Sequence, residues 1–110
     1  MIHWSKPEFG EDEKKAAIDV VRSGWVTQGK ITQQFEEQLE EYTGAKDVTV
    51  VNNGTAALIT ALLAHGIGKG DEVIVPSLTF IASINSILAV GATPTLCDSD
   101  PKIWNTTPEL

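Results

Sequence analysis

The chain has 110 residues, 42% of them hydrophobic, with a net charge of −7 and a single cysteine, Cys97. That is one small domain or a piece of a larger one, with enough apolar residues for a core. The acidic balance and the lack of a basic patch exclude a nucleic-acid partner. One cysteine excludes an internal disulfide. No apolar run is long enough to span a bilayer, and Met1–Lys6 lacks the apolar core of a signal peptide, so a cytoplasmic protein without a membrane partner is expected.

Residues 1–10 read as irregular, with Pro7 and Gly10 as breakers. Glu11–Arg22 reads as a helix. Its acidic start suits the positive end of the helix dipole, Ala17, Ile18 and Val21 form an apolar stripe, and Ser23-Gly24 ends it. Trp25–Lys30 is a loop carrying a tryptophan between two glycines. Loops are usually polar, so Trp25 either folds back onto a core or faces a ligand, and both readings stay open. Ile31–Thr43 reads as a second helix, with Ile31, Phe35, Leu39 and Tyr42 as its buried side and Gly44 as its stop. Glu36, Glu37, Glu40 and Glu41 lie off that stripe. With no histidine or other ligand beside them they read as a solvated acidic face, and no metal site is expected.

Val48–Val51, rich in β-branched residues, reads as a buried strand. Asn52, Asn53 and Gly54 break it. A helix follows, with Leu58, Ala61, Leu62 and His65 at helical spacing. Gly54 and Thr55 therefore sit where a strand turns into a helix. The first amides of a helix lack internal acceptors and the dipole adds positive potential, so a phosphate suits that corner. Gly54 lets a ligand approach the main chain, and Thr55 adds a hydroxyl donor. The competing reading is an ordinary strand–turn–helix corner. Gly66–Asp71 superficially resembles a nucleotide motif, but it follows a helix and lacks either full phosphate-loop pattern, so it reads as a helix stop and a turn. His65 would sit at the negative end of the helix dipole, a structural role. Glu72–Val75 is a second strand ended by Pro76, Ile81–Val90 a mostly apolar helix closed by Gly91, and Thr93–Cys97 a third strand with Cys97 as a buried, inert thiol. Strands alternating with helices imply parallel pairing in an open α/β sheet. Ligands in such sheets sit beyond the carboxyl ends of the strands. Gly54-Thr55 and Thr79-Phe80 both fall there and would face one crevice.

The ordered set Ser23–Gly29, Val51–Leu58, Gly70–Pro76, Thr79–Ser83 and Gly91–Asp98 resembles the beginning of the DegT/DnrJ/EryC1/StrS family of pyridoxal-phosphate-dependent sugar aminotransferases, over nearly the whole chain. The resemblance implies an α/β fold, the N-terminal part of a type I PLP-transferase large domain with an open, mostly parallel sheet flanked by helices. Residues 1–45 would be a helical N-terminal arm and 46–110 the start of the sheet. It implies amino transfer from an amino-acid donor to a nucleotide-linked keto-sugar, in cell-surface polysaccharide or amino-sugar biosynthesis, by a homodimer. It also implies site roles. Gly54, Thr55 and Ala56 would hold the phosphate of pyridoxal 5'-phosphate, Phe80 would stack on its ring, and Trp25, Thr27, Gln28 and Gly29 would line the sugar entrance. Phe80 has a rival reading as plain core, since Ile84 and Ile87 lie at helical spacing from it.

The family's cofactor-binding lysine lies downstream of these motifs. Lys6, Lys14, Lys15, Lys30, Lys46, Lys69 and Lys102 all sit in polar or turn contexts, none with the apolar pocket that would keep an amine neutral. No catalytic residue is therefore expected in this chain, which reads as the N-terminal fragment of a longer enzyme and as inactive alone. The alternatives are a sugar dehydratase of the same family, in which histidine replaces that lysine, and a non-catalytic module that binds phosphate or cofactor.

Overall fold

A computed structural model describes residues 5–108. The element order is α1 (Glu11–Ser23), α2 (Lys30–Thr43), α3 (Gly54–Ala64), β1 (Glu72–Pro76), α4 (Ile81–Ala89) and β2 (Thr93–Cys97). The chain divides into two compact units, Met1–Thr49 and Val50–Leu110.

The first unit holds α1 and α2. At the start of α1 the Glu13 carboxylate accepts the Gly10 N–H at 2.7 Å, and ion pairs Lys14–Glu11 and Lys15–Asp19 run along its surface. Gly24 and Gly44 end the two helices in the left-handed region, at φ 72° and 73°, where a residue without Cβ is favoured. The apolar stripes are a correction to the sequence reading. Neither helix has a buried residue. Ile18, Val21, Ile31, Phe35 and Tyr42 are exposed, and Leu39 is half-buried. Spacing writes a stripe, but only a facing element buries it, and α1 and α2 make no packing contact with each other. The acidic face is also less uniform than expected. Glu37 and Glu41 are exposed, whereas Glu36 and Glu40 are half-buried. The Glu40 carboxylate accepts the Val48 N–H at 2.9 Å.

The second unit is the α/β part. Strands β1 and β2 pair in parallel, Glu72 against Thr93 through Pro76 against Cys97, and α4 is the crossover between them, packed on both. Val75, Ile87 and Ala92 form the core, with Leu62, Ile67, Val73, Ile84 and Val90 against it. Ala82 and Ser86, one turn apart on α4, are buried. Their small side chains let neighbouring elements approach, and Ser86 satisfies its hydroxyl on the Ser83 carbonyl at 2.9 Å.

Three expectations change here. Val48–Val51 belongs to no strand; the ladder among the described residues is β1–β2. A strand exists only with a hydrogen-bonded neighbour, and β-branched composition does not supply one. The half-buried positions of α3 are Thr55, Ala56, Ile59 and Leu62, while Leu58, Ala61 and His65 are exposed. This helix is apolar all round, so periodicity could not choose its packed face. Cys97 is half-buried, not buried, since it closes the last strand next to the Asp98–Asp100 loop.

Candidate cofactor site

The corner that opens α3 is built by Asn53. Its side-chain oxygen accepts the Ala56 N–H at 2.9 Å, and its carbonyl accepts the Ala57 N–H at 3.1 Å, the first turn of the helix. Asparagine is among the favoured residues for this cap. Sequence reading treated Asn53 only as a breaker, although its place immediately before an apolar helix was the available signal. The consequence is local. The Ala56 amide is engaged by the cap, and Gly54 and Thr55 occupy the first two helical positions, whose amides lack intrahelical acceptors. A Cβ built on Gly54 would meet nothing within 4 Å, so open space lies over that residue for an incoming group. Thr55 is half-buried beside it.

The second turn, Ser77–Phe80, leaves the carboxyl end of β1. The Ser77 N–H donates to the Cys97 carbonyl at 2.8 Å, extending the ladder by one bond. The Thr79 and Ser83 hydroxyls lie 3.1 Å apart across the start of α4. Phe80 is the residue that caps α4, and its side chain makes no cap bond. It is 77% exposed, so residues 5–108 leave most of its ring uncovered. The α3 and α4 helices pack on each other, and Gly68, just past the end of α3, lies against the Val90 carbonyl at the end of α4, so the two run in the same sense. Their N-termini, with Gly54 and Thr55 on one and Phe80 on the other, therefore lie at the same end of the unit, beyond the carboxyl end of β1.

The Gly66–Asp71 turn carries no free phosphate cradle. Gly66 N–H closes on Leu63 and Ile67 N–H on Leu62, and the Asp71 carboxylate itself takes the Gly68 N–H at 2.8 Å. His65 lies at the end of α3 with Nδ1 2.9 Å from the Ala61 carbonyl. Among the described residues no three His, Cys, Asp or Glu side chains converge on a common point, and no helix is long and apolar enough to cross a membrane. All seven lysines are exposed.

In the first unit, the residues expected at the sugar entrance form a groove of about 600 Å³, lined by Val20, Ser23, Trp25, Val26, Thr27, Gly29 and the start of α2. Gln28 does not line it; its carbonyl accepts the Trp25 indole N–H at 3.0 Å. Trp25 is 65% exposed.

A parallel α/β unit with two helix N-termini at one end, an open glycine on one and an exposed aromatic ring on the other, is the kind of scaffold that seats a phosphorylated planar cofactor. The profile of the DegT/DnrJ/EryC1/StrS aminotransferase family matches residues 7–110, and the chain belongs to that family. It is 45% identical over 105 residues to a GDP-perosamine synthase of Caulobacter vibrioides, covering 94% of this chain and 28% of that protein. Spore coat polysaccharide biosynthesis protein SpsC of Bacillus subtilis is 43% identical over 107 residues, 97% of this chain and 28% of that one. The fold matches a solved structure from Streptococcus pneumoniae, Spr1654, a candidate sugar aminotransferase, in its PMP form. The TM-score is 0.91 at 38% identity, over 99% of this chain and 28% of that chain. Its PLP form matches at a TM-score of 0.89. The chain thus spans somewhat over a quarter of the length of the curated relatives it matches.

Proposed function

We propose that this chain forms the phosphate-binding corner and part of the sugar entrance of a PLP-dependent aminotransferase, one that moves an amino group from an amino acid to a nucleotide-linked keto-sugar for polysaccharide or amino-sugar biosynthesis. The observation that carries the reading is the opening of α3. Asn53 caps the helix through Ala56, the first-turn amides of Gly54 and Thr55 lack intrahelical acceptors, and open space lies beside Gly54 in a chain of this family. These amides, with the Thr55 hydroxyl, hold the cofactor phosphate, each hydrogen bond to the charged group contributing roughly 1.5–3 kcal/mol. Phe80 covers one face of the pyridine ring. The Ala56 amide supports the corner through Asn53. The bound cofactor supplies the electron sink for chemistry at the amino-bearing carbon; the residues here bind and orient it.

The amine that holds the cofactor and shuttles the proton is not among the seven lysines of this chain. Each is exposed, outside the kind of apolar pocket that activates an amine as a nucleophile. It is placed by the enzyme outside residues 1–110. The working form is a cytoplasmic homodimer. The test is cofactor absorbance of the full-length enzyme with and without amino donor. A band that changes on adding the donor and is restored by a keto-sugar nucleotide supports amino transfer. A bound cofactor that ignores amino donors overturns it in favour of the dehydratase or a binding module.

A further inference from the structure

The Trp25–Lys30 loop contains an arrangement that the proposed function does not require. The Ser23 hydroxyl donates to the Val20 carbonyl at 2.7 Å and accepts the Trp25 backbone N–H at 3.1 Å, which ties the start of the loop to the last turn of α1. The indole of the same Trp25 then reaches forward, its N–H donating to the Gln28 carbonyl at 3.0 Å. It lies over Gly29, the residue that caps α2. A Cβ built on Gly29 would overlap indole Nε1 and come within 2.8 Å of Cδ1, closer than real Cβ contacts allow. Gly29 has φ −177°, extended backbone open to any residue, so glycine here is explained by the indole and not by backbone conformation. The Gly29 carbonyl in turn accepts the Gln33 N–H at 3.0 Å, as the first bond of α2. An indole that is mostly exposed is thus held at both ends of one loop.

We infer that Trp25 and Gly29 form an interlocking latch that fixes the Gly24–Gly29 loop between the end of α1 and the start of α2. The latch makes Trp25 a positioning residue for the wall of the groove that carries Thr27. This rests on the proposed function for what the groove binds, though not for the latch itself. Trp25 sets the loop by two contacts, one hydrogen bond and one close approach, and Gly29 is the partner that makes the second possible. Thr27, at the groove wall, has its place set by the turn that the indole closes. Gln28 does not line the groove and joins the latch through its backbone carbonyl.

The experiment uses the full-length enzyme labelled with 15N-tryptophan, the Trp25 indole signal being assigned by its loss in Trp25→Phe. In the parent enzyme this N–H exchanges slowly with solvent. In Gly29→Ala the indole is displaced, its signal moves toward that of free indole and its exchange accelerates. The functional readout is the Michaelis constant for the sugar nucleotide that the enzyme turns over. It rises about two- to tenfold in Gly29→Ala, the equilibrium weight of one neutral hydrogen bond, and rises more than kcat falls. In the Trp25→Phe background the same glycine change has an effect of less than about twofold, because both changes break one contact. A Trp25 indole signal that ignores Gly29→Ala overturns the latch, as do additive effects of the two changes. Should Gly29→Ala fail to fold, Trp25→Phe alone decides, since a Michaelis constant unchanged by loss of the indole N–H also refutes it. The indole signal does not depend on turnover, so failure of the latch and failure of the aminotransferase reading are told apart.

Discussion

Phe80→Ala separates the two roles that an aromatic residue at the start of α4 can have. Full burial of a phenylalanine is worth roughly 3–5 kcal/mol on truncation. Phe80 is 77% exposed, so residues 5–108 cover less than a quarter of its surface and truncation costs this part of the fold about 1 kcal/mol. No cap is lost, because the Phe80 side chain makes no cap bond. The cost falls on the cofactor. Aromatic stacking contributes about 0.5–1.5 kcal/mol beyond burial, and covering roughly 40 Å² of ring face adds about 1 kcal/mol. The sum, about 1.5–2.5 kcal/mol, weakens PLP binding roughly 10- to 60-fold and shifts the absorbance of the bound cofactor. The assay is a PLP titration of the full-length apo-enzyme, parent and variant, paired with thermal or urea unfolding of both apo-proteins. An apo-protein destabilised by more than about 3 kcal/mol, with affinity per folded molecule intact, would refute the stacking role and return Phe80 to the core.

Thr55→Ala removes one hydroxyl from the phosphate corner and should weaken PLP binding roughly 10- to 150-fold, one hydrogen bond to a charged group; unchanged affinity in the same titration removes Thr55 from the site. Asn53→Ala deletes the 2.9 Å cap on Ala56 and should lower the enzyme's unfolding free energy by about 1 kcal/mol, read from a urea curve; no change in midpoint would mean that the cap bond is not formed in solution. Borohydride reduction of the PLP-loaded full-length enzyme, followed by peptide mapping, should place the stoichiometric label outside residues 1–110, where all seven lysines are exposed. One lysine of this stretch labelled to stoichiometry overturns the assignment of the cofactor-binding amine.

The parts of the fold legible in the sequence are those set by local chemistry. Gly24 and Gly44 end α1 and α2 in the left-handed conformation, β1 and β2 fall on the expected runs of branched residues, and the two strands pair in parallel. The parts that were not legible depend on a second element. Val48–Val51 has strand composition but no ladder, because pairing is a property of two segments. The packed face of α3 is Thr55, Ala56, Ile59 and Leu62, a choice made by α4 and the core and invisible in a helix apolar on every side. At the candidate site, Gly54 was readable as a close-approach position. The division of labour between Asn53, which fastens Ala56, and Gly54-Thr55, which stay at the open end of the helix, needed coordinates. Trp25 was left between core and ligand, and the structure shows a third possibility: it packs on its own loop.

The exposed apolar surface bears on the same proposal. A parallel sheet is normally covered on both faces. Here α4 covers β1 on the side of Val73 and Val75, while Ile74, on the opposite face, is 74% exposed. The stripes of α1 and α2 are uncovered as well. These two helices carry the 3.6-residue periodicity of amphipathic elements, with Ile18, Val21, Ile31, Phe35 and Tyr42 exposed along it. Scattered exposed apolar residues need no explanation, but those of α1 and α2 recur at the spacing of a packing face. Spacing reads Ile31 and Phe35 as the buried side of α2, and both are exposed.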